Sequence, residues 1–173
     1  MKIIKILLLL ISISSYAQNN IITDVIVDVS YQGDIKYIDS ILHQVNRYYK
    51  TYNIEIQLDT AWRASIQDNI GTTESLIDNF TNKKDLTIAF ISGAKGKDYA
   101  TSFLGQLYSP FSKIVIDINS VNYKRTVYIL CHEIGHILGL VHSADKYNLM
   151  CITTHYDNLN VSQQNYLYNL NLK

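Results

Sequence analysis

Between Cys131 and Met150 the chain reads CHEIGHILGLVHSADKYNLM, with three histidines, a glutamate, a glycine and a methionine at spacings that describe a zinc site. If residues 122 to 138 are helical, His132 and His136 project from one face one turn apart, so both imidazoles can reach one metal ion. Glu133 sits beside the first histidine, where it can meet a water at the metal rather than the metal itself, which is a general-base position. A tetrahedral catalytic site needs a third protein ligand and one open position. A straight helix does not easily deliver that ligand, so the chain has to turn. Gly139 is the residue type that ends a helix in the left-handed conformation without a side-chain penalty, and it brings His142 back toward the ion.

Each part alone has a plainer explanation. A lone histidine is more often a surface or satisfied core residue, a lone glycine any helix C-cap, and a lone methionine core filler. Their joint spacing makes those explanations improbable. The pattern H-E-x-x-H-x-x-G-x-x-H, with Met150 eight residues past the last histidine, resembles the metzincin clan of zinc endopeptidases, whose motif is followed by a methionine-containing turn. The resemblance implies His132, His136 and His142 as zinc ligands, Glu133 as base and Met150 as the floor of the site. It also implies peptide-bond hydrolysis, in which zinc acidifies a water and polarises the scissile carbonyl while Glu133 moves the proton.

The elements that must position this motif follow from periodicity. Residues 21 to 29, IITDVIVDV, are rich in β-branched residues and read as a strand. Asp34 to Tyr52 carries Ile35, Ile38, Leu42, Val45 and Tyr49 at helical spacing, a helix with one buried face, and His43 beside that stripe reads as a surface residue. Asn53 to Leu58 alternates Ile54, Ile56 and Leu58 against Glu55 and Gln57, a half-buried strand. A short helix over about residues 72 to 82 follows, capped by Thr72 or Thr73. Leu86 to Ser92, Tyr99 to Tyr108 and Lys113 to Ile118 read as three more strands. The loop Gly93 to Asp98 is too poor in carboxylates for a calcium site.

Val121 to Leu138 is the helix of the motif, with Ser120 or Asn122 as cap. Lys124 and Arg125 in its first turn oppose the helix dipole. Asn160 to Leu172 reads as a closing helix whose face carries Val161, Tyr166 or Leu167, and Leu170. The resemblance implies an α+β fold. Its parts would be a twisted, mostly parallel five-stranded sheet with an antiparallel edge strand, the active-site helix, a methionine turn and a C-terminal helix. It also implies that Tyr99 to Tyr108 is that edge strand, to which an extended peptide or protein substrate would add by β-augmentation.

The N-terminus, MKIIKILLLLISISSYAQ, has two lysines, an apolar run and small residues up to Ala17, the layout of a secretory signal peptide over residues 1–17. The apolar run is short for a bilayer span, and no stable membrane anchor is expected. Residues 18–173 then form a single catalytic domain, expected to be secreted or periplasmic and monomeric. The formal net charge is zero, and no basic stripe suggests nucleic acid. Hydrophobic residues make up 47% of the chain, enough for one core. The segment Gln18 to Asp24 could act as a small propeptide with Asp24 reaching the metal.

Ser143 after the third histidine matches matrixin-like enzymes, and Ile152 stands where astacin-like and serralysin-like members carry a tyrosine. The segment ATSFLGQLYSPFSKIVID looks like reprolysin-type sequences, so matrixin-like is the first choice and reprolysin-like the second. Cys131 and Cys151 read equally as a disulfide in an exported protein or as two small buried hydrophobes. The alternative to a peptidase is a zinc-binding pseudo-protease or interaction module, against which the retention of Glu133 argues, since a structural site has no need of a base.

Overall fold

A computed structural model describes residues 19–29, 31–64, 85–91, 105–108, 113–119, 121–152 and 156–170. The signal peptide expected over residues 1–17, the helix expected over 72 to 82, the loop 93 to 98 and the first part of the expected edge strand, residues 99 to 104, lie outside them. Strand β1 (Asn19–Asp28) leads into helix α1 (Ile35–Lys50), which returns to strand β2 (Ile54–Ala64). Then come β3 (Leu86–Ile91), β4 (Gly105–Tyr108) and β5 (Lys113–Asp117). The motif helix α2 (Tyr123–Ile137) and the C-terminal helix α3 (Val161–Tyr168) complete the described chain.

The strands form one five-stranded sheet in the order β2-β1-β3-β5-β4. Every pair is parallel except β4 with β5, which places the antiparallel strand at the edge as the resemblance implied. Strands β3 and β5 are buried along their whole length, which is why they read as continuous apolar runs rather than alternating ones.

Sequence sets the helix ends locally. Asp34 accepts from the Lys36 backbone N–H at 2.9 Å and caps α1, and Asn122 accepts from Arg125 N–H at 3.0 Å and caps α2. These caps satisfy donors that the first turn leaves unpaired. Between α1 and β2 the turn needs one residue at positive φ, which Asn53 supplies at 60°, as asparagine does at lower cost than most residues.

The core lies between one sheet face and the two long helices. Val25, Val27, Ile88, Phe90, Ile114 and Ile116 from the sheet meet Ile38, Ile41, Val45 and Tyr49 of α1 and Ile129, Leu130 and Ile134 of α2. Each such aliphatic side chain contributes about 1.5–3 kcal/mol when fully buried. Together they fix α2 to the sheet, and α2 carries the motif.

Four expectations change. Strand β2 runs on to Ala64, because a bulge at Asp59 shifts its register against Thr23 and Asp24 and the pairing resumes beyond it; Leu58, expected inside, is 50% exposed. Ile35 at the start of α1 is exposed, and the buried stripe is Ile38, Ile41, Val45 and Tyr49. On α3 only Leu167 is buried, whereas Val161 and Tyr166 face solvent, since the helix is held by its capping box rather than by a broad apolar face. Asp24 is not free to reach a metal: it sits in the middle of β1, fully buried, and accepts a hydrogen bond from Thr60. Exposed His43 is as expected, and no helix among the described residues is long and apolar enough to cross a membrane.

Candidate metal centre

Helix α2 delivers His132, Glu133 and His136 from its last turns and ends where the third histidine needs it to end. Gly139 has φ +91°. Its N–H donates to His136 O at 2.9 Å, and the Leu140 N–H donates to Gly135 O at 2.8 Å. That pair of bonds is a Schellman motif, which closes the helix and reverses the chain. His142 comes back as a result, and its Nε2 lies 3.0 Å from His136 Nε2, which in turn lies 3.1 Å from His132 Nε2. The ligand atoms of all three lie within 4.8 Å of one another.

The protonation of two of these rings follows from their other nitrogen. His132 Nδ1 is 2.8 Å from the carbonyl oxygen of Leu149, and His136 Nδ1 is 2.9 Å from that of Leu140. A carbonyl only accepts, so each Nδ1 carries the hydrogen and each Nε2 presents a bare lone pair. Lone pairs aimed at one another across 3.1 Å repel unless a cation lies between them. A tetrahedral zinc with Zn–N bonds of 2.0–2.1 Å places its nitrogens about 3.3 Å apart, close to the separations of His136 from its two neighbours, and the cluster as a whole is of a size to hold that ion. Nitrogen donors with backbone carbonyls behind them are also the usual surroundings of zinc-bound histidine.

Burial grades across the site. His132 is buried, His136 half-buried and His142 exposed, so one side opens to solvent. Burial holds the His136 pKa below its ordinary value; the Leu140 carbonyl opposes that shift and the neighbouring His142 adds to it. Glu133 is half-buried, next to His132 on the helix surface, and its charge is felt by Tyr128. The Tyr128 hydroxyl is pushed up to about 12, by burial first, then by Cys151 and Glu133.

Under the histidines the turn from Ser143 to Cys151 is a closed set of short-range bonds. Ser143 N–H donates to Met150 O, Met150 N–H to Asn148 Oδ1 and Cys151 N–H to Asn148 O. Met150 is fully buried. Asn148, 2% exposed, also donates from Nδ2 to Gln163 Oε1 at 2.8 Å, and Gln163 completes the capping box of α3 with Asn160. The C-terminal helix is thereby tied to the turn.

Several supports went unread in the sequence. Tyr49, fully buried on α1, donates to Cys131 O in the motif helix. Tyr48 donates to Asp157 O at 2.8 Å, and Tyr128 reaches the carbonyls of Leu149 and Cys151. The only signal for them was a count of 14 tyrosines. Cys131 and Cys151 are both buried and unbridged, which favours the small-hydrophobe reading. Burial pushes the Cys131 thiol well up, with Asp157 adding to it. A cavity of about 440 Å³ opens between α1 and α2, lined by Tyr48, Tyr123, Tyr128, Cys131, Leu149 and Asp157.

The sequence profile of metallo-peptidase family M12 matches residues 21–169. Among solved structures the fold is similar to an archaemetzincin from Methanopyrus kandleri, with a TM-score of 0.63 and 18% identity over 89% of this chain and 96% of that one. It is also similar to metalloproteinase-II from Bacteroides fragilis, with a TM-score of 0.62 and 16% identity over 87% of this chain and 53% of that longer one. At these identities the likeness is one of fold. A search of curated protein sequences gave no match.

Proposed function

The chain belongs to metallo-peptidase family M12, and on that footing we propose that it is a secreted, zinc-dependent endopeptidase of the metzincin type. The observation that carries the reading is the convergence of the His132, His136 and His142 Nε2 atoms, two of them stripped of hydrogen by the carbonyls behind their rings. Zinc bound there supplies an acidified water and a polarised scissile carbonyl.

The chain's own groups do the rest. His132, His136 and His142 hold the ion. Glu133 takes the proton of the attacking water on its carboxylate and passes it to the leaving amine, the two halves of general base and general acid work. Strand β4, at the sheet edge among the described residues and beside α2, is where an extended peptide adds to the sheet. The cavity beside Leu149 takes one substrate side chain. Residues 1–17 direct export, residues 18–173 are the catalytic domain, and the enzyme acts as a monomer. For the branch, Ser143 and Ile152 support a matrixin-like assignment, and residues 100 to 117 support a reprolysin-like one.

The test compares proteolysis of a denatured general protein substrate by the chain from Gln18, its Glu133→Ala variant and the wild type with a chelator, alongside zinc content. Cleavage by wild type alone, with zinc retained by the variant, supports both the peptidase and the role of Glu133. One zinc per chain without cleavage of this or other proteins moves the assignment to a binding module. Wild type without zinc refutes the reading.

A further inference from the structure

Tyr128 stands on α2 one turn before His132, with ring centroids 6.0 Å apart. Its hydroxyl lies 2.7 Å from the carbonyl oxygen of Leu149 and 2.8 Å from that of Cys151, the residues on either side of Met150. The same Leu149 oxygen accepts from His132 Nδ1 at 2.8 Å. One phenol hydrogen shared between two carbonyls holds both only when the chain is closed around Met150 as found. Without it the Leu149 carbonyl keeps its bond to His132 but loses its second anchor to that helix, the one that does not depend on the histidine ring.

We propose that Tyr128 is a positioning residue of the metal centre: its hydroxyl fixes the Leu149 carbonyl, which sets the orientation of the His132 ring and so the aim of His132 Nε2. The inference rests on the zinc reading of the three-histidine site. Groups bonded directly behind a ligating histidine change metal affinity by about 10–100-fold when removed, because they hold both the tautomer and the ring angle, and Tyr128 anchors such a group, the Leu149 carbonyl. A hydroxyl that only satisfied two buried carbonyls would change stability and leave the metal alone.

Tyr128→Phe removes one oxygen and keeps the ring packed. The comparator is Tyr48→Phe, which removes a hydroxyl bonded to Asp157 O in the same downstream part of the chain. Each full-length mature protein is checked by circular dichroism and thermal melting. Zinc affinity is then measured by competition with a chromophoric chelator, and the cobalt-substituted form by its visible absorption. The expected result is that both variants melt somewhat lower. Tyr128→Phe alone binds zinc about tenfold or more weakly and shifts the cobalt spectrum. Unchanged zinc affinity and cobalt spectrum in Tyr128→Phe overturn the inference, whatever happens to melting. Wild type that binds neither metal overturns the zinc reading itself, and this inference with it.

Discussion

A Cβ built on Gly135 would lie 2.7 Å from the sulfur of Met150. The second variable residue of the H-E-x-x-H motif is therefore packed against the methionine that follows it, with no room for a methyl group between helix and turn. Met150 is fully buried and belongs to the main core, so the turn is continuous with the packing that holds α2 to the sheet.

Gly135→Ala should destabilise the fold by about 1–3 kcal/mol, the usual cost of overpacking, despite alanine's better helix propensity. Met150→Ala should cost about 2–5 kcal/mol by leaving a cavity. Because the alanine methyl fills part of that cavity, the double variant should be more stable than the sum of the two by at least about 0.5 kcal/mol. Urea titrations of the four proteins check this, and strict additivity would show that Gly135 and Met150 do not share the space.

Gly139 raises a second, separable strain. Its φ of +91° costs a residue with a Cβ about 1–2 kcal/mol, and that Cβ would also lie 2.7 Å from the Tyr166 hydroxyl oxygen. Gly139→Ala should lower stability through both, and Tyr166→Phe in that background should return only the part due to the hydroxyl. Zinc affinity should fall in both variants, since His142 follows the same turn. Wild-type affinity in Gly139→Ala would mean that the turn does not place the third histidine.

The residues that could hold the metal were legible because ligand chemistry imposes spacing along one helix and one turn. Helix α1 was legible from its periodicity, and strands β1, β3 and β5 from short runs rich in apolar and β-branched residues. What escaped was set by partners distant in sequence. The bulge at Asp59 breaks the alternation of β2, so the strand seemed to stop at Leu58. Tyr49 and Cys131, or Asn148 and Gln163, are joined by side-chain hydrogen bonds that leave no periodic trace. On α3 the spacing of Val161 and Leu170 suggested a buried face, yet the helix is held by Leu167 and by Asn160 with Gln163.

The two cysteines give a prediction with a simple readout. Both are buried and unbridged, and a thiol shifted upward by burial, as Cys131 is, reacts slowly because the thiolate is the nucleophile. The native, unreduced protein should show little rapid reaction with a thiol reagent, and two thiols per chain once denatured. A denatured chain without reactive thiols, regaining two on reduction, would establish the disulfide instead.

Acid should strip the metal before it unfolds the core, and the sign follows from the histidines. Zinc and a proton compete for the same Nε2 lone pair, because Nδ1 of His132 and of His136 is already committed to a carbonyl. Apparent zinc affinity should be level above about pH 7.5 and fall as pH drops through the imidazole range near 6.5. Since burial lowers the pKa of His136, this ring resists its proton longer than a free imidazole would. In the metal-free protein the same shift means that the unfolded chain binds a proton which the folded one refuses. The contribution of His136 to stability is therefore whole above about pH 6.5 and is lost as pH falls from there toward its lower folded value. Zinc competition titrations between about pH 8 and 5, with melting of the metal-free protein at each pH, measure both effects. An affinity that stays level across that range would mean that the histidines are not the ligands.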